Sequence, residues 1–163
     1  MPQQVKPLIL IDSREKENYR WNFIESKIFA GSKITKLENG DVSLENLENL
    51  IYIDRKNNFV EIIHNLFSKV DRDRFHGCLE RIKNYRYKYI IVEANLSDIF
   101  YQKIPGLSIK PEAVMKKLCE ISIIYAVHII YAGKFGKTYC YSLLKRILEI
   151  EKYNNKQKEL IDS

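Results

Sequence analysis

The sequence predicts an α/β fold: one domain with a central mixed sheet and helices on its faces. Three observations carry this. Short apolar runs bounded by polar or turn residues alternate with longer stretches of helical apolar periodicity. Their order reads β-α-β-β-α-α-β-α-α-β-α, and strands separated by helices imply a sheet with helices packed against it. The 163 residues suit a single domain, and 45% hydrophobic residues provide its core.

The run LILI at 8–11 reads as a buried strand closed by Asp12. Residues 18–29 bring Trp21, Ile24, Ile28 and Phe29 near one face of a helix, which Gly31-Ser32 breaks. A short strand at 33–37 carries Ile34 and Leu37, and Asn39-Gly40 marks a tight turn into the next strand segment. LIYI at 50–53 is a strand closed by Asp54. Apolar residues at 59, 62, 63, 66, 67 and 70 line one face of a helix, and 72–85 continues as a second, charged helix with Phe75, Leu79 and Ile82 inward. YIIV at 89–92 is a third acid-terminated strand, closed by Glu93. Pro105-Gly106 marks a loop, and Pro111 opens a helix whose stripe is Val114, Leu118 and Ile121. A last strand spans 127–131, a last helix runs from Gly136 to about Tyr153, and the polar tail 154–163 frays. The domain thus covers 1–153.

Composition narrows the function classes. The 27 Lys+Arg against 21 Asp+Glu give a formal charge of +6, which draws polyanions without naming one. Three widely spaced cysteines (Cys78, Cys119, Cys140) and no CxxC exclude a disulfide scaffold. No stretch of about 18 apolar residues exists for a membrane span, and the N-terminal apolar run of five before Asp12 is too short for a secretion signal. A cytosolic protein of a reducing compartment is expected, with no membrane partner. His64, His76 and His128 do not cluster, and no cysteine stands at metal-ligand spacing from them, so a structural zinc site is not expected. No nucleophile elbow is present. Gly133-Lys134-Phe135-Gly136-Lys137-Thr138 lacks the first glycine of a P-loop, where Tyr131 stands, so no nucleoside triphosphate is expected. That helix start, with Lys134 and Lys137, can still hold a DNA phosphate.

Four acids stand out by position. Asp12, Asp54 and Glu93 close apolar strands, and Asp41 follows a turn glycine. Side chains at strand ends of an open α/β sheet converge on one rim, where ligands bind. Converging carboxylates repel unless a cation joins them, and Mg²⁺ takes one or two carboxylates with several waters. Strand alternation puts Asp54 and Lys56 on one face and Arg55 on the other. Asp41 lies thirteen residues before Asp54. Two acids to hold Mg²⁺ or Mn²⁺ (Asp41 and Asp54, with Asp12), and a lysine to orient water or meet developing charge, suit phosphodiester hydrolysis. Arg72, Arg74, Arg81 and Lys83 share the second charged helix, and 74 and 81 share a face that can follow a phosphate backbone.

This ordered set resembles the XPF-type nuclease domain, a branch of the PD-(D/E)XK nuclease superfamily. Ile11-Asp12-Ser13-Arg14-Glu15 resembles its first element, Gly40-Asp41 its second, and Asp54-Arg55-Lys56 its Glu-Arg-Lys, with Asp for the usual Glu. The Arg-rich helix from Asp71 to Tyr85 and the strand ending in Glu93 resemble its later part, and the likeness covers residues 7–150. The motif's trailing Asp falls on Val60, with Glu61 beside it. The resemblance implies a restriction-endonuclease-like sheet flanked by helices and a Mg²⁺- or Mn²⁺-dependent DNA endonuclease, selective for branched, flap or junction DNA, in repair or recombination. It adds Glu15 to the catalytic set, and Arg14 and Arg55 to the DNA-binding set. It also implies a homodimer or pairing with a related subunit. No tandem helix-hairpin-helix module follows, which looks like a stand-alone bacteriophage or prophage version, placed in the cytoplasm of a bacterial or infected cell. The rival implied by Val60 is a catalytically weak relative that binds DNA or serves as a dimer partner. A protein-interaction domain that keeps the fold without DNA is the other alternative.

Overall fold

The computed structural model describes residues 5–101, 103, 104 and 106–161; the expected turn residue Pro105 and the outermost termini lie outside the described residues. Six strands, β1 (Ile9–Asp12), β2 (Ser32–Thr35), β3 (Val42–Leu44), β4 (Ile51–Lys56), β5 (Tyr87–Val92) and β6 (His128–Tyr131), form one sheet in the order β2-β1-β3-β4-β5-β6. β3 runs antiparallel to β1 and β4; the β1–β2, β4–β5 and β5–β6 pairs are parallel, so the sheet is mixed. Five helices flank it: α1 (Phe59–Phe67), α2 (Lys69–Arg81), the short α3 (Asp98–Tyr101), α4 (Pro111–Tyr125) and α5 (Gly136–Ile161). This is an α/β fold of the restriction-endonuclease-like kind.

Each sheet face has its own core. Tyr52, Ile90 and Val92 pack with α1, α2 and α4, whereas Ile51, Ile53 and Ile91 pack with Trp21, Phe23, Phe29 and α5. The alternation of β4 therefore sends 52, 54 and 56 to one side and 51, 53 and 55 to the other.

The helix expected at 18–29 does not form. A 3₁₀ turn at Glu17–Tyr19 leads into irregular chain, and of the expected stripe Ile24 is 80% exposed. Side chains replace the helical ladder here. Ser26 Oγ accepts the amides of Ile28 and Phe29, and Ser32 Oγ accepts the amide of Phe23. Serines that bond nearby backbone compete with helix, and the extended chain still delivers Trp21, Phe23 and Phe29 to the core. The first helix after β4 stops at Phe67, with Ser68 extended, so Val70 belongs to α2 and faces solvent. β4 runs through Asp54 to Lys56, past the expected end. The tail expected to fray is helical through Ile161. Ahead of that tail, buried Glu151 ties α5 to the sheet, accepting from Tyr87 Oη and Arg86 Nη1, both at 2.7 Å.

Candidate active site

The turn before β3 sets the site. Gly40 has φ +83°, and a Cβ there would stand 3.0 Å from the Ile53 carbonyl oxygen and 3.1 Å from the Tyr52 ring. Only glycine serves in this left-handed, closely approached position. The Asp41 amide then donates to Ile53 O, and Asp41 Oδ2 accepts the Arg55 amide at 2.7 Å, which pins the acid against β4. Gly40→Ala is expected to lower stability by about 2 kcal/mol through the left-handed φ and the backbone clash; a urea melt within about 0.5 kcal/mol of the parent would refute this.

On β4, Asp54 faces Asp41, and their carboxyls lie within hydrogen-bonding reach of each other. Burial, and next the Asp54 charge, push the Asp41 carboxyl well above the usual carboxylate range. Asp54 Oδ2 accepts from Tyr52 Oη and from Lys56 Nζ, each at 3.0 Å. Lys56 is buried, with its ammonium 5.5 Å from the centre of the Phe75 ring and 3.9 Å from Glu61 Oε1. Burial alone would lower its pKa, but the carboxylates of Asp54, Asp41 and Glu61 outweigh it and the net direction is up. Lys56 is therefore a protonated donor, not a base.

These groups line a cleft of about 400 Å³ between the central strands of the sheet and α1–α2. Asp12, Arg14, Glu15, Asp41, Asp54 and Lys56 all reach it, as do Arg74 and Arg81 from α2. Asp12 is buried and both its oxygens are engaged: Oδ1 accepts the Leu37 amide at 2.9 Å and Oδ2 accepts Arg14 Nε at 2.7 Å. Asp12 thereby braces the cleft wall. Arg14 also donates to Leu37 O, and its bond to Asp12 raises its pKa further. Burial, only partly offset by Arg55, raises the Glu15 carboxyl. Arg81 Nε donates to buried Asn39 Oδ1, tying α2 to the Gly40 turn.

Three expected contacts lie away from the carboxylate cleft. Arg55 lies on the opposite sheet face, its side chain only 10% exposed, with Nε and Nη2 on Glu93 Oε2 at 2.8 and 2.6 Å and its guanidinium 4.6 Å from the Trp21 ring centre. Arg55 and Glu93 are taken up in this pair, which clamps the face of the sheet opposite the cleft. Arg72 is paired with Asp73 on the outer face of α2 and does not line the cleft. Gly136 gives clearance, since a Cβ there would meet Glu93 and Trp21 at 2.8–3.1 Å, and neither Lys134 nor Lys137 lines the cleft.

Tyr52, Asn65, Phe75 and Cys78 also line the cleft and were not predicted as site residues. Tyr52 was legible in principle, since it stands two before Asp54 on the same strand face. Its hydroxyl donates to Asp54 and takes a long contact of 3.7 Å from Cys78 Sγ. Asn65 is buried in the wall and its Oδ1 has no partner.

Among the described residues no group of three or more His, Cys, Asp or Glu side chains is arranged to hold a metal. The pair Asp41–Asp54 meets a lesser requirement. Two hard carboxylates pressed together, with one carboxyl of raised proton affinity, match a cation such as Mg²⁺ that takes one or two carboxylates and keeps its waters.

An open mixed sheet thus brings two acids and a lysine, Asp41, Asp54 and Lys56, to one cleft. The sequence matches the ERCC4 domain over residues 11–138, and the chain belongs to that family, the XPF-type nuclease domains. Among solved structures it is similar to XPF from Aeropyrum pernix, at 15% identity and a TM-score of 0.60, over 94% of this chain and 70% of that one. No curated protein matches the sequence.

Proposed function

We propose that the chain is a divalent-cation-dependent endonuclease that hydrolyses DNA phosphodiester bonds. The observation that carries this reading is the convergence of Asp41, Asp54 and Lys56 on one cleft walled by Arg74 and Arg81. Asp41 and Asp54 would hold one Mg²⁺ or Mn²⁺. When bound, that cation polarises the phosphate and makes water a better nucleophile at neutral pH. Lys56 donates from its ammonium, which orients a water or meets charge building on the phosphate oxygens. Arg74 and Arg81 contribute phosphate contacts that set the strand's path. Tyr52 donates to Asp54 Oδ2 and so steadies that carboxylate within the cleft.

The test is cleavage of labelled duplex, splayed-arm, flap and four-way-junction DNA in Mn²⁺. Cutting that persists after chelation by EDTA would sink the reading. A catalytically weak, DNA-binding relative is the second reading, favoured by the two-carboxylate set and by Val60; it predicts binding of branched DNA without cutting. Selectivity for branched DNA belongs to this proposal, as does pairing with a second copy. Pairing is supported by the open edge of β6 and by exposed Ile123 and Ile124 on the adjoining helix, and sedimentation velocity tests it.

Tyr52→Phe keeps the ring against Gly40 and deletes one bond to Asp54. It is expected to raise the Mn²⁺ concentration for half-maximal binding about tenfold, read by electron paramagnetic resonance titration. Unchanged affinity would show that the hydroxyl does not position Asp54.

A further inference from the structure

We propose that a depression beside the carboxylate cleft is a subsite for one unpaired DNA nucleotide, whose base stacks on Tyr19. The inference rests on the nuclease reading above and deepens it by naming the substrate feature recognised. The depression measures about 600 Å³, and Arg14, Glu15, Glu61 and Arg74 line both it and the cleft, so the two are neighbours across a shared wall. Lys16 and Tyr19 line the depression only. Its size falls within the range of small-molecule sites, roughly 300–1,000 Å³.

The segment carrying Tyr19 is strapped down by hydrogen bonds. The Arg20 guanidinium donates to Glu15 O and to Ser13 O, both at 2.8 Å, and the Tyr19 amide donates to Lys16 O at 2.9 Å. The ring so presented is 51% exposed, and neither the Tyr19 side chain nor the Lys16 ammonium has a partner among the described residues. A rigid aromatic offers contact area at little cost in conformational entropy.

The chemistry selects the ligand. An aromatic face stacks any base, but a base inside a duplex already has stacking neighbours and must leave them to be reached. Lys16, Arg14 and Arg74 attract the flanking phosphates, while Glu15 and Glu61 repel phosphate from the wall they form. A strand crossing the cleft is thereby oriented with its backbone along the cations and its unpaired base toward Tyr19.

The test compares a blunt duplex with the same duplex bearing a single-stranded arm, by fluorescence anisotropy without divalent cation. The expected result is a preference of the parent protein for the armed DNA. Tyr19→Ala should weaken armed-DNA binding about tenfold, leave blunt duplex unchanged, and be rescued by Tyr19→Trp. A 2-aminopurine in the arm should be quenched by the parent and not by Tyr19→Ala. Equal losses on both DNAs, no loss on either, or unaltered quenching would overturn the subsite and leave the nuclease reading standing. A parent protein that binds neither DNA would overturn the nuclease reading and the subsite with it.

Discussion

Asp54→Asn, Asp41→Asn and Lys56→Met are each expected to lower Mn²⁺-dependent DNA cleavage by about a thousandfold or more. In the proposed reaction the three groups act on one phosphate, so pairs of substitutions should cost little more than singles. Single-turnover cleavage, with far-ultraviolet circular dichroism to confirm the fold, measures the effect. Residual cleavage within about tenfold of the parent in any of the three would remove that residue from the site. The acid side of the pH profile is constrained too. Asp41 must lose its proton to bind the cation, and burial beside Asp54 raises its pKa. Cation affinity is therefore expected to fall with decreasing pH while an ordinary carboxylate is still ionised. Lys56, pushed upward by its carboxylate neighbours, retains its proton across the neutral range.

The largest loss of stability is expected from Arg55→Ala, about 3 kcal/mol. The guanidinium spans Glu93 Oε2, Glu15 Oε2 at 3.7 Å and the Trp21 face, and its deletion strands two partly buried carboxylates. With Glu93 18% exposed, water softens the penalty toward the low end for broken buried pairs. Adding Glu93→Ala removes one stranded charge, so the double variant should recover at least about 1 kcal/mol relative to additivity. Urea denaturation of the four proteins in this cycle decides it, and strict additivity would show that the pair is not coupled.

Much of this was written in short-range sequence pattern. Period-two alternation located β4 and set Asp54 and Lys56 against Arg55, and the Gly40 turn announced its own backbone demand. What alternation could not say was the fate of Arg55. A lone cation in a motif reads as a phosphate contact until Trp21 and Glu93, from two distant segments, close over it. The 18–29 helix failed for a related reason. The aromatic spacing fitted one helical face, but Ser26 and Ser32 spent their hydroxyls on nearby amides and the aromatics reached the core from extended chain. Asp12 likewise looked like a free acid because neither the Leu37 amide nor Arg14 Nε is visible as a partner in linear text. Tyr19 left no signal, since its exposure depends on the Arg20 strap.

The two-sided use of β4 has an evolutionary corollary. Its even positions face the carboxylate cleft and its odd positions serve the opposite core, so the strand tolerates changes of residue but not of parity. A single insertion or deletion between Ile51 and Lys56 would exchange the tracks, presenting a guanidinium to the cleft and burying a carboxylate against Trp21. Length variation among relatives should therefore collect in the connection between β3 and β4, where parity can be restored before Ile51, and spare the strand itself.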